Sequence, residues 1–200
     1  MNREILQFIK QVQSISHIGL SFSEDPYALD NYKELKKLSR EMLERYSHLK
    51  EEECDLYKDF IYPTPQPAVR AFVVQEGKIL LVQEKDSQLW SLPGGWCDVE
   101  HTPKEAAIKE TIEESGYVIE CSRLLGVFDR RNYDKSALYD VYCLYFLGNV
   151  VSGTPKCNHE TMDVGWFDIA ELPPLSQKNS ICEIKKAYEV YHNNLETYYE

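Results

Sequence analysis

The chain has 200 residues, of which 43% are hydrophobic, and its 33 acidic against 22 basic side chains give a formal net charge of −11. This composition supports a packed core and excludes a chain that is disordered throughout. The negative charge argues against a protein that grips long nucleic acid through a basic face, but it allows a phosphorylated substrate accompanied by a divalent cation. No apolar run approaches the roughly 20 residues of a membrane span, and residues 1–10 lack the apolar core of a signal peptide. We therefore expect a cytoplasmic protein without a membrane partner.

The first 60 residues show the apolar spacing of helices. The pattern predicts a first helix that begins near residue 2 and is stopped by Gly19, and a second helix over 29–46 with Leu35 and Leu38 facing inward. A short third helix is predicted over 51–60. Three prolines then fall between Pro63 and Pro67, which is typical of a linker. We therefore divide the chain into a helical module at 1–62, a linker at 63–67 and a second domain at 68–200.

After the linker the pattern changes to that of strands alternating with helices. Strands are predicted at 68–74, 79–83, 117–128, 139–147 and 164–167, and helices at 104–115 and 177–195. A mixture of this kind indicates an α/β domain.

The helix at 104–115 has clear end signals behind a loop that contains Gly94 and Gly95. Thr102 is suited to the N-cap with Glu105 completing a capping box, and Gly116 is suited to a left-handed stop. Within this helix three carboxylates share one face, because Glu110, Glu113 and Glu114 stand at i, i+3 and i+4. Ile108, Ile112 and Ser115 are expected to pack on the sheet from the other face.

Three carboxylates this close repel one another, and two interpretations follow. They form either a solvated acidic face or, under a folded loop, a site for Mg²⁺ or Mn²⁺, which all-oxygen ligands favour over zinc.

This segment resembles the box of the Nudix hydrolases, G-x5-E-x7-R-E-U-x-E-E-x-G-U, in which U is aliphatic. Five positions match the box: Gly95, Glu110, Glu113, Glu114 and Gly116. Four positions depart from it, with His101 in place of the first Glu, Lys109 in place of the Arg, and Thr111 and Tyr117 at the two aliphatic positions. In the family the replaced Glu and Arg brace the loop against the helix, so the departures concern loop rigidity more than metal binding. Lys109 is expected to pair instead with Glu113 or Glu105.

The stretch from Ile5 to Leu38 resembles the helical module that precedes the Nudix domain in one subgroup acting on X-linked nucleoside diphosphates. The resemblance implies a Nudix α/β/α sandwich with a mixed sheet behind a helical module that forms a homodimer. It implies a Mg²⁺-dependent hydrolase of a CDP-choline-like or ADP-ribose-like substrate, which yields a nucleoside monophosphate and phospho-X. Glu110, Glu113 and Glu114 would hold the cation, and Gly94 and Gly95 would shape the loop.

Family members often place an acidic residue in the loop before the strand at 164–167. Glu160 is the first candidate for the general base or a further metal ligand, and Asp163 is the second. An ordinary polar loop is the alternative.

Three arginines are candidates for contacts with substrate. Arg70 lies in an apolar strand and faces either solvent or a ligand. Arg130 and Arg131 follow a strand and either bind phosphate oxygens or belong to a surface turn.

Two other functions compete with the hydrolase hypothesis. The losses at His101 and Lys109 are compatible with a degenerate Nudix module that senses a ligand, although such a module has less need of three helix glutamates. A nucleoside triphosphate or RNA-end pyrophosphohydrolase is the other alternative, for which the net charge disfavours long RNA.

Overall fold

The computed structural model describes residues 2–134 and 137–200, which form two compact units. The first unit holds the described residues of 1–65 and 135–140, and the second holds 66–134 and 141–200. Residues 137–140 belong to the first unit. There the Asp140 carboxylate forms an ion pair with the Lys10 ammonium at 2.5 Å. The boundary between the two units therefore does not lie at a single position in the sequence.

The first unit is built on helices α1 (Arg3–Phe22) and α2 (Pro26–Tyr46). Its core contains Leu6, Ile9, Leu43 and Leu56, all less than 7% exposed. The prediction that Gly19 ends α1 was wrong, because the helix continues to Phe22. A Cβ on Gly19 would lie 2.4 Å from the ring of Tyr32 in α2. Glycine at this position therefore permits close packing of two helices.

Two other expectations for this unit were also wrong. The predicted third helix is reduced to a 3₁₀ turn at Glu51–Glu53, although Leu56 and Tyr57 beyond it are buried. Leu35 and Leu38 were expected to face inward but are 39% and 48% exposed. The unit therefore presents apolar side chains of α2 on its own surface.

The second unit contains a mixed sheet of seven strands. They are β1 (Gln66–Gln75), β2 (Lys78–Glu84), β3 (Trp90–Ser91), β4 (Tyr117–Asp129), β5 (Val141–Gly153), β6 (Thr161–Asp168) and β7 (Tyr198–Tyr199). Their order is β3-β2-β1-β5-β4-β7, and β6 pairs with β2. The long β1–β5 pair is parallel, whereas β4–β5 and β2–β6 are antiparallel.

Helices α3 (Pro103–Ser115) and α4 (Ile181–His192) belong to different apolar cores of this unit. Successive side chains of β1 point to opposite faces of the sheet, and this produces the arrangement. Ala68 and Phe72 join the core that contains α4, whereas Val69 and Val73 join the core that contains α3. The α/β sandwich with a mixed sheet, preceded by helices, is therefore confirmed. Helix α4 is shorter than the predicted 177–195. No helix among the described residues is both long and apolar enough to span a bilayer.

Candidate active site

The ends of helix α3 follow the sequence signals. The Thr102 side chain accepts a hydrogen bond from the Glu105 N–H, and the Glu105 carboxylate accepts one from the Thr102 N–H at 2.9 Å. At the other end Gly116 adopts a φ of +77°, and a Cβ there would lie 2.5 Å from the Thr154 carbonyl oxygen. The capping box and the glycine stop thus fix the length of the helix that carries the three glutamates.

The glycine loop is attached directly to helix α3. The Gly94 N–H donates to Glu114 Oε2 at 2.8 Å. A Cβ on Gly94, at φ +146°, would lie 2.1 Å from the Val69 carbonyl oxygen, and a Cβ on Gly95 would lie 3.1 Å from the Glu110 carboxyl carbon. At Gly94, where the Cβ would meet backbone at a positive φ, only glycine fits without strain, whereas at Gly95 the Cβ would press on the end of the Glu110 side chain. The loop therefore sets Gly94 and Gly95 against two of the predicted metal ligands.

The inner side of α3 confirms the prediction for Ile108, which packs against the core of the sheet, and for the buried Ser115, but not for Ile112. Ala106 and Ala107 pack against the sheet, whereas Ile112 is 40% exposed. Glu114 is only 3% exposed. Burial raises its pKa to about 7, and the Gly94 N–H and the cationic Lys178 and Arg70 oppose that shift. Glu114 therefore lies on the buried side of α3 together with Ala107 and Thr111, under the glycine loop.

The ammonium of Lys109 lies among three carboxylates. Its Nζ is 3.2 Å from Glu113 Oε2, 3.3 Å from Asp98 Oδ2 and 3.6 Å from Glu110 Oε1. Hydrogen bonds to Glu113 and Asp98 raise the pKa of Lys109. Of the two partners expected for Lys109, Glu113 is confirmed, whereas Glu105 is engaged in the capping box.

The donor chemistry of this region suits a hard divalent cation. Burial raises the pKa of Glu110; the Lys109 ammonium opposes this shift, and the negative charges of Glu113 and Glu160 add to it. Carboxylate oxygens are the ligands that Mg²⁺ and Mn²⁺ prefer. Within residues 2–134 and 137–200, no three acidic, histidine or cysteine side chains already converge as a ligand set. A cation held by Glu110, Glu113 and Glu114 would therefore require these carboxylates to move closer together.

The comparisons with known proteins agree with this geometry. Residues 64–186 match the NUDIX domain family, and residues 3–56 match a family described as a UDP-X-like, N-terminal oligomerisation domain. The chain belongs to the Nudix family.

Individual relatives cover most of this Nudix chain. A putative ADP-ribose pyrophosphatase, YjhB, of Bacillus subtilis (strain 168) is 39% identical over 181 residues, which are 88% of this chain and 86% of the relative. The crystal structure of a UDP-X diphosphatase is 31% identical with a TM-score of 0.67 and covers 100% of both chains. The structure of an ADP-ribose pyrophosphatase from Streptococcus suis is 36% identical with a TM-score of 0.63 and covers 68% of this chain and 100% of its own.

The structure shows the surroundings of two of the four box positions that depart from the family, His101 and Lys109. The Nδ1 atom of His101 is buried and has no hydrogen-bond partner within the described chain, and the His101 N–H donates to the Asp98 carbonyl. The Asp98 carboxylate, three residues upstream, is the loop group that pairs with Lys109. The link between loop and helix is therefore displaced from position 101 to position 98.

Arg70 is buried beside the glycine loop, at 6% exposure. Its guanidinium donates to the Val69 carbonyl at 2.7 Å, the same oxygen against which Gly94 packs, and to the Lys178 carbonyl at 3.3 Å. Its Nε has no partner within the described residues. The alternative that Arg70 faces solvent is therefore wrong. The alternative that Arg70 contacts substrate stays a prediction.

The two arginines after β4 are paired within their own unit. Arg130 is buried, donates to Glu183 Oε2 at 2.5 Å and also donates to the Gln177 carbonyl. Arg131 pairs with Asp129. These pairings assign Arg130 a structural role in a buried ion pair, and the phosphate-binding role of both arginines stays a prediction.

Glu160 lies in an exposed loop, with its carboxylate 3.3 Å from His159 Nε2. It is nevertheless close enough to Glu110 to affect its pKa, which places it at the edge of the acidic region. Asp163 is exposed and its carboxylate accepts from the Val164 N–H.

Sequence reasoning missed several residues around this site: Asp98, Lys178, Asn179 and Glu183. Glu183 could have been found, because Ser180-x-x-Glu183 is a capping-box pattern and the structure forms that box. Asp98 and Asn179 act through contacts with residues 11 and 87 positions away, for which the sequence carries no local signal.

Proposed function

We propose that this Nudix chain is a pyrophosphohydrolase that cleaves the diphosphate of a nucleoside diphosphate linked to a second group X. Water enters at one phosphorus atom, one P–O bond of the anhydride breaks, and the products are a nucleoside monophosphate and phospho-X. The attachment of the glycine loop to Glu110 and Glu114 carries this proposal, because it brings backbone and carboxylates together at one end of a capped helix. The relatives named as ADP-ribose pyrophosphatase and UDP-X diphosphatase support the same substrate class.

In this proposal Glu110, Glu113 and Glu114 hold Mg²⁺ or Mn²⁺. When bound, such a cation neutralises diphosphate oxygens and makes water a stronger acid. The chain supplies the remaining functions. Glu160 takes the proton of the attacking water, for which its exposed carboxylate at the edge of the acidic region is suited. Gly94 and Gly95 keep the loop close enough to α3 to exclude bulk water from Glu114.

A substrate panel tests this function. The full-length protein is incubated with UDP-sugars, ADP-ribose, CDP-choline and nucleoside triphosphates, with Mg²⁺, with Mn²⁺ or with EDTA, in H₂¹⁸O. We expect turnover of one or more X-linked nucleoside diphosphates, loss of turnover in EDTA, and one ¹⁸O atom in one of the two monophosphate products. Turnover confined to triphosphates would reject the proposal in favour of the triphosphate alternative.

One observation favours a second candidate, the ligand-sensing module. The Lys109 ammonium already lies where three carboxylates meet, and no ligand set is preformed within the described residues. This candidate requires binding of a nucleoside diphosphate without hydrolysis at saturating Mg²⁺. Calorimetry beside the turnover assay separates the two functions.

We also propose that the protein is a homodimer joined through its helical unit. The match of residues 3–56 to an N-terminal oligomerisation domain supports this proposal, as do the exposed apolar side chains of α1 and α2.

A further inference from the structure

The side chain of Lys109 places an ammonium between two of the proposed metal ligands. Its Nζ lies 3.2 Å from Glu113 Oε2 and 3.6 Å from Glu110 Oε1. A magnesium ion bound by both glutamates would lie about 2.1 Å from an oxygen of each, so it needs the space between the same two carboxylates. Two positive charges a few ångströms apart repel each other. The ammonium and the metal ion therefore compete for this pair of carboxylates.

A third carboxylate offers Lys109 another partner. Asp98 lies in the segment between the glycine loop and α3, and its Oδ2 is 3.3 Å from the Lys109 Nζ. The Asp98 side chain is exposed and that of Lys109 is half-buried, so packing does not lock the pair in one arrangement. The ammonium can therefore give up the two glutamates and keep Asp98 without leaving the region.

The local charges permit such a change of partner. Three carboxylates, those of Asp98, Glu110 and Glu113, face the single ammonium of Lys109. When all four groups are ionised, the cluster carries a surplus of negative charge. A divalent cation compensates that surplus, so the ammonium does not have to be expelled for the region to stay balanced.

The kind of cationic side chain also matters. Lysine carries a compact ammonium with three rotatable donors on a flexible stem, and it can turn from one carboxylate to another at little cost. Arginine, which the family box has at this position, presents a planar fork that binds a carboxylate in a fixed geometry. The departure from the box at Lys109 therefore replaces a rigid partner of the carboxylates by one that can change partner.

We propose that Lys109 is a positioning residue that acts as an internal counterion of the metal site: it competes with the divalent cation for Glu110 and Glu113 and is kept by Asp98 when the cation binds. The ammonium limits the repulsion between the glutamates, and its transfer to Asp98 ties the loop segment to α3. How readily Lys109 changes partner then sets the affinity of the site for the cation. This inference rests on the metal site of the proposed function.

The affinity for Mn²⁺ tests the competition without turnover. Lys109→Met removes the ammonium and keeps a long stem. Titration calorimetry of the full-length protein without nucleotide should show Mn²⁺ binding at least about fivefold tighter than in the wild type, as expected for the loss of one unit charge a few ångströms away in a solvated site. Unchanged or weaker binding would overturn the proposal, because a lysine that only braced the loop would weaken binding when removed.

The matched control for this variant is Lys104→Met. Lys104 is an exposed lysine of the same helix, so the substitution makes the same change in net charge away from the carboxylates. Its Mn²⁺ affinity should stay within about twofold of the wild type, because an exposed charge at a distance is screened. Circular dichroism verifies the fold of each variant, and Lys109→Gln replaces Lys109→Met if the latter does not fold.

A double-mutant cycle tests the role of Asp98. Asp98→Asn removes the second partner, so the ammonium stays with the glutamates and Mn²⁺ affinity should fall by at least about threefold. In the Lys109→Met background there is no ammonium to accept, and the same substitution should change the affinity by less than about 1.5-fold. Glu100→Gln, at an exposed acidic residue of the same segment, is the matched control in both backgrounds. Equal effects of Asp98→Asn in both backgrounds would refute the exchange.

Thermal unfolding gives an independent measurement. Without the ammonium the carboxylates repel one another, so Lys109→Met should unfold at a lower temperature than the wild type in EDTA. Saturating Mn²⁺ should raise its unfolding temperature by more than that of the wild type, since stabilisation by a ligand grows as its Kd falls. Equal increases in the two proteins would contradict the role of Lys109 as a counterion.

The outcomes separate this inference from the proposed function. Tighter Mn²⁺ binding by Lys109→Met without hydrolysis of any diphosphate supports the counterion and rejects the hydrolase. Hydrolysis of X-linked diphosphates by the wild type, together with unchanged or weaker Mn²⁺ binding by Lys109→Met, supports the hydrolase and rejects the counterion. Failure of both proteins to bind Mn²⁺ would refute the metal site and this inference with it.

Discussion

Glu113 and Glu114 stand in different environments on the same helix. The Glu113 side chain is 51% exposed and bonded to Lys109, whereas Glu114 is buried under Gly94. We expect Glu113→Gln and Glu114→Gln each to lower kcat by at least about tenfold, because each removes a charged ligand that matters most in the transition state. Steady-state kinetics at saturating Mg²⁺ measures the effect, with circular dichroism as the control for folding. Wild-type turnover in both variants would contradict the metal-site assignment.

Lys109 stands where the family box has an arginine, and it pairs with Asp98 of the loop. The double change His101→Glu with Lys109→Arg restores the family pair. We expect it to change kcat by less than about tenfold, because Asp98 already connects the loop to Lys109. Asp98→Asn is the complementary variant, and it should weaken Mn²⁺ binding in titration calorimetry by loosening the loop. A gain of several orders of magnitude in the double variant would favour the ligand-sensing module.

Glu84 gives a pH dependence with a defined sign. Burial alone would raise its pKa, but hydrogen bonds from Ser176 and Ser87 and the nearby Lys178 ammonium lower it below the ordinary value of 4.5. A carboxyl group with a depressed folded-state pKa contributes stability above its unfolded pKa and loses it as the pH falls through the folded pKa. Urea midpoints of the wild type should therefore drop more below pH 4.5 than those of Glu84→Gln. If the urea midpoints of the two proteins fell equally below pH 4.5, this account of Glu84 would be contradicted.

At the scale of elements, the sequence was most informative where a signal is local. The capping box of α3, the stop at Gly116 and the glycine loop all follow from neighbours within a few positions, and all are confirmed. Gly19 was misread because its reason is the ring of Tyr32, a contact between helices. Ile112 was misread because the small Ala106 and Ala107, rather than the largest apolar residues, set how close α3 lies to the sheet.

The capping box makes a prediction about α3. Thr102→Ala removes the acceptor for the Glu105 N–H, so the free energy of unfolding should fall by about 1 kcal/mol. Chemical denaturation with a two-state fit measures the loss. The control is Thr154→Ala, a threonine in an exposed segment outside any helix, which should be close to neutral. Equal effects of the two substitutions would show that the box contributes nothing specific.

At the scale of the whole molecule, the two units differ in how well each covers its apolar residues. The sheet unit has two cores, each with a helix, whereas the helical unit leaves Phe8, Ile15 and Phe22 at 63%, 58% and 62% exposure. The sequence predicted Phe8 and Ile15 as part of an apolar stripe, but it did not include Phe22, which lies beyond the predicted stop at Gly19. It also did not predict which members would be left uncovered, because that depends on which residues α1 and α2 bury between them.

The exposed residues of α1 recur every seven positions and therefore lie along one side of the helix. An apolar strip of this kind marks an interaction surface, and a second copy of the chain is the partner that the match to an oligomerisation domain supports. In a symmetric dimer each substitution is present twice, so its effect on association is doubled. We therefore expect Phe8→Glu combined with Ile15→Glu to convert a homodimer into a monomer at micromolar concentration. Light scattering coupled to size-exclusion chromatography measures the mass directly.

The matched control is Val151→Glu, which places the same charge on an apolar residue of the sheet unit that is 64% exposed. This variant should keep the mass of the wild type. A wild-type protein that is monomeric at micromolar concentration would refute the dimer.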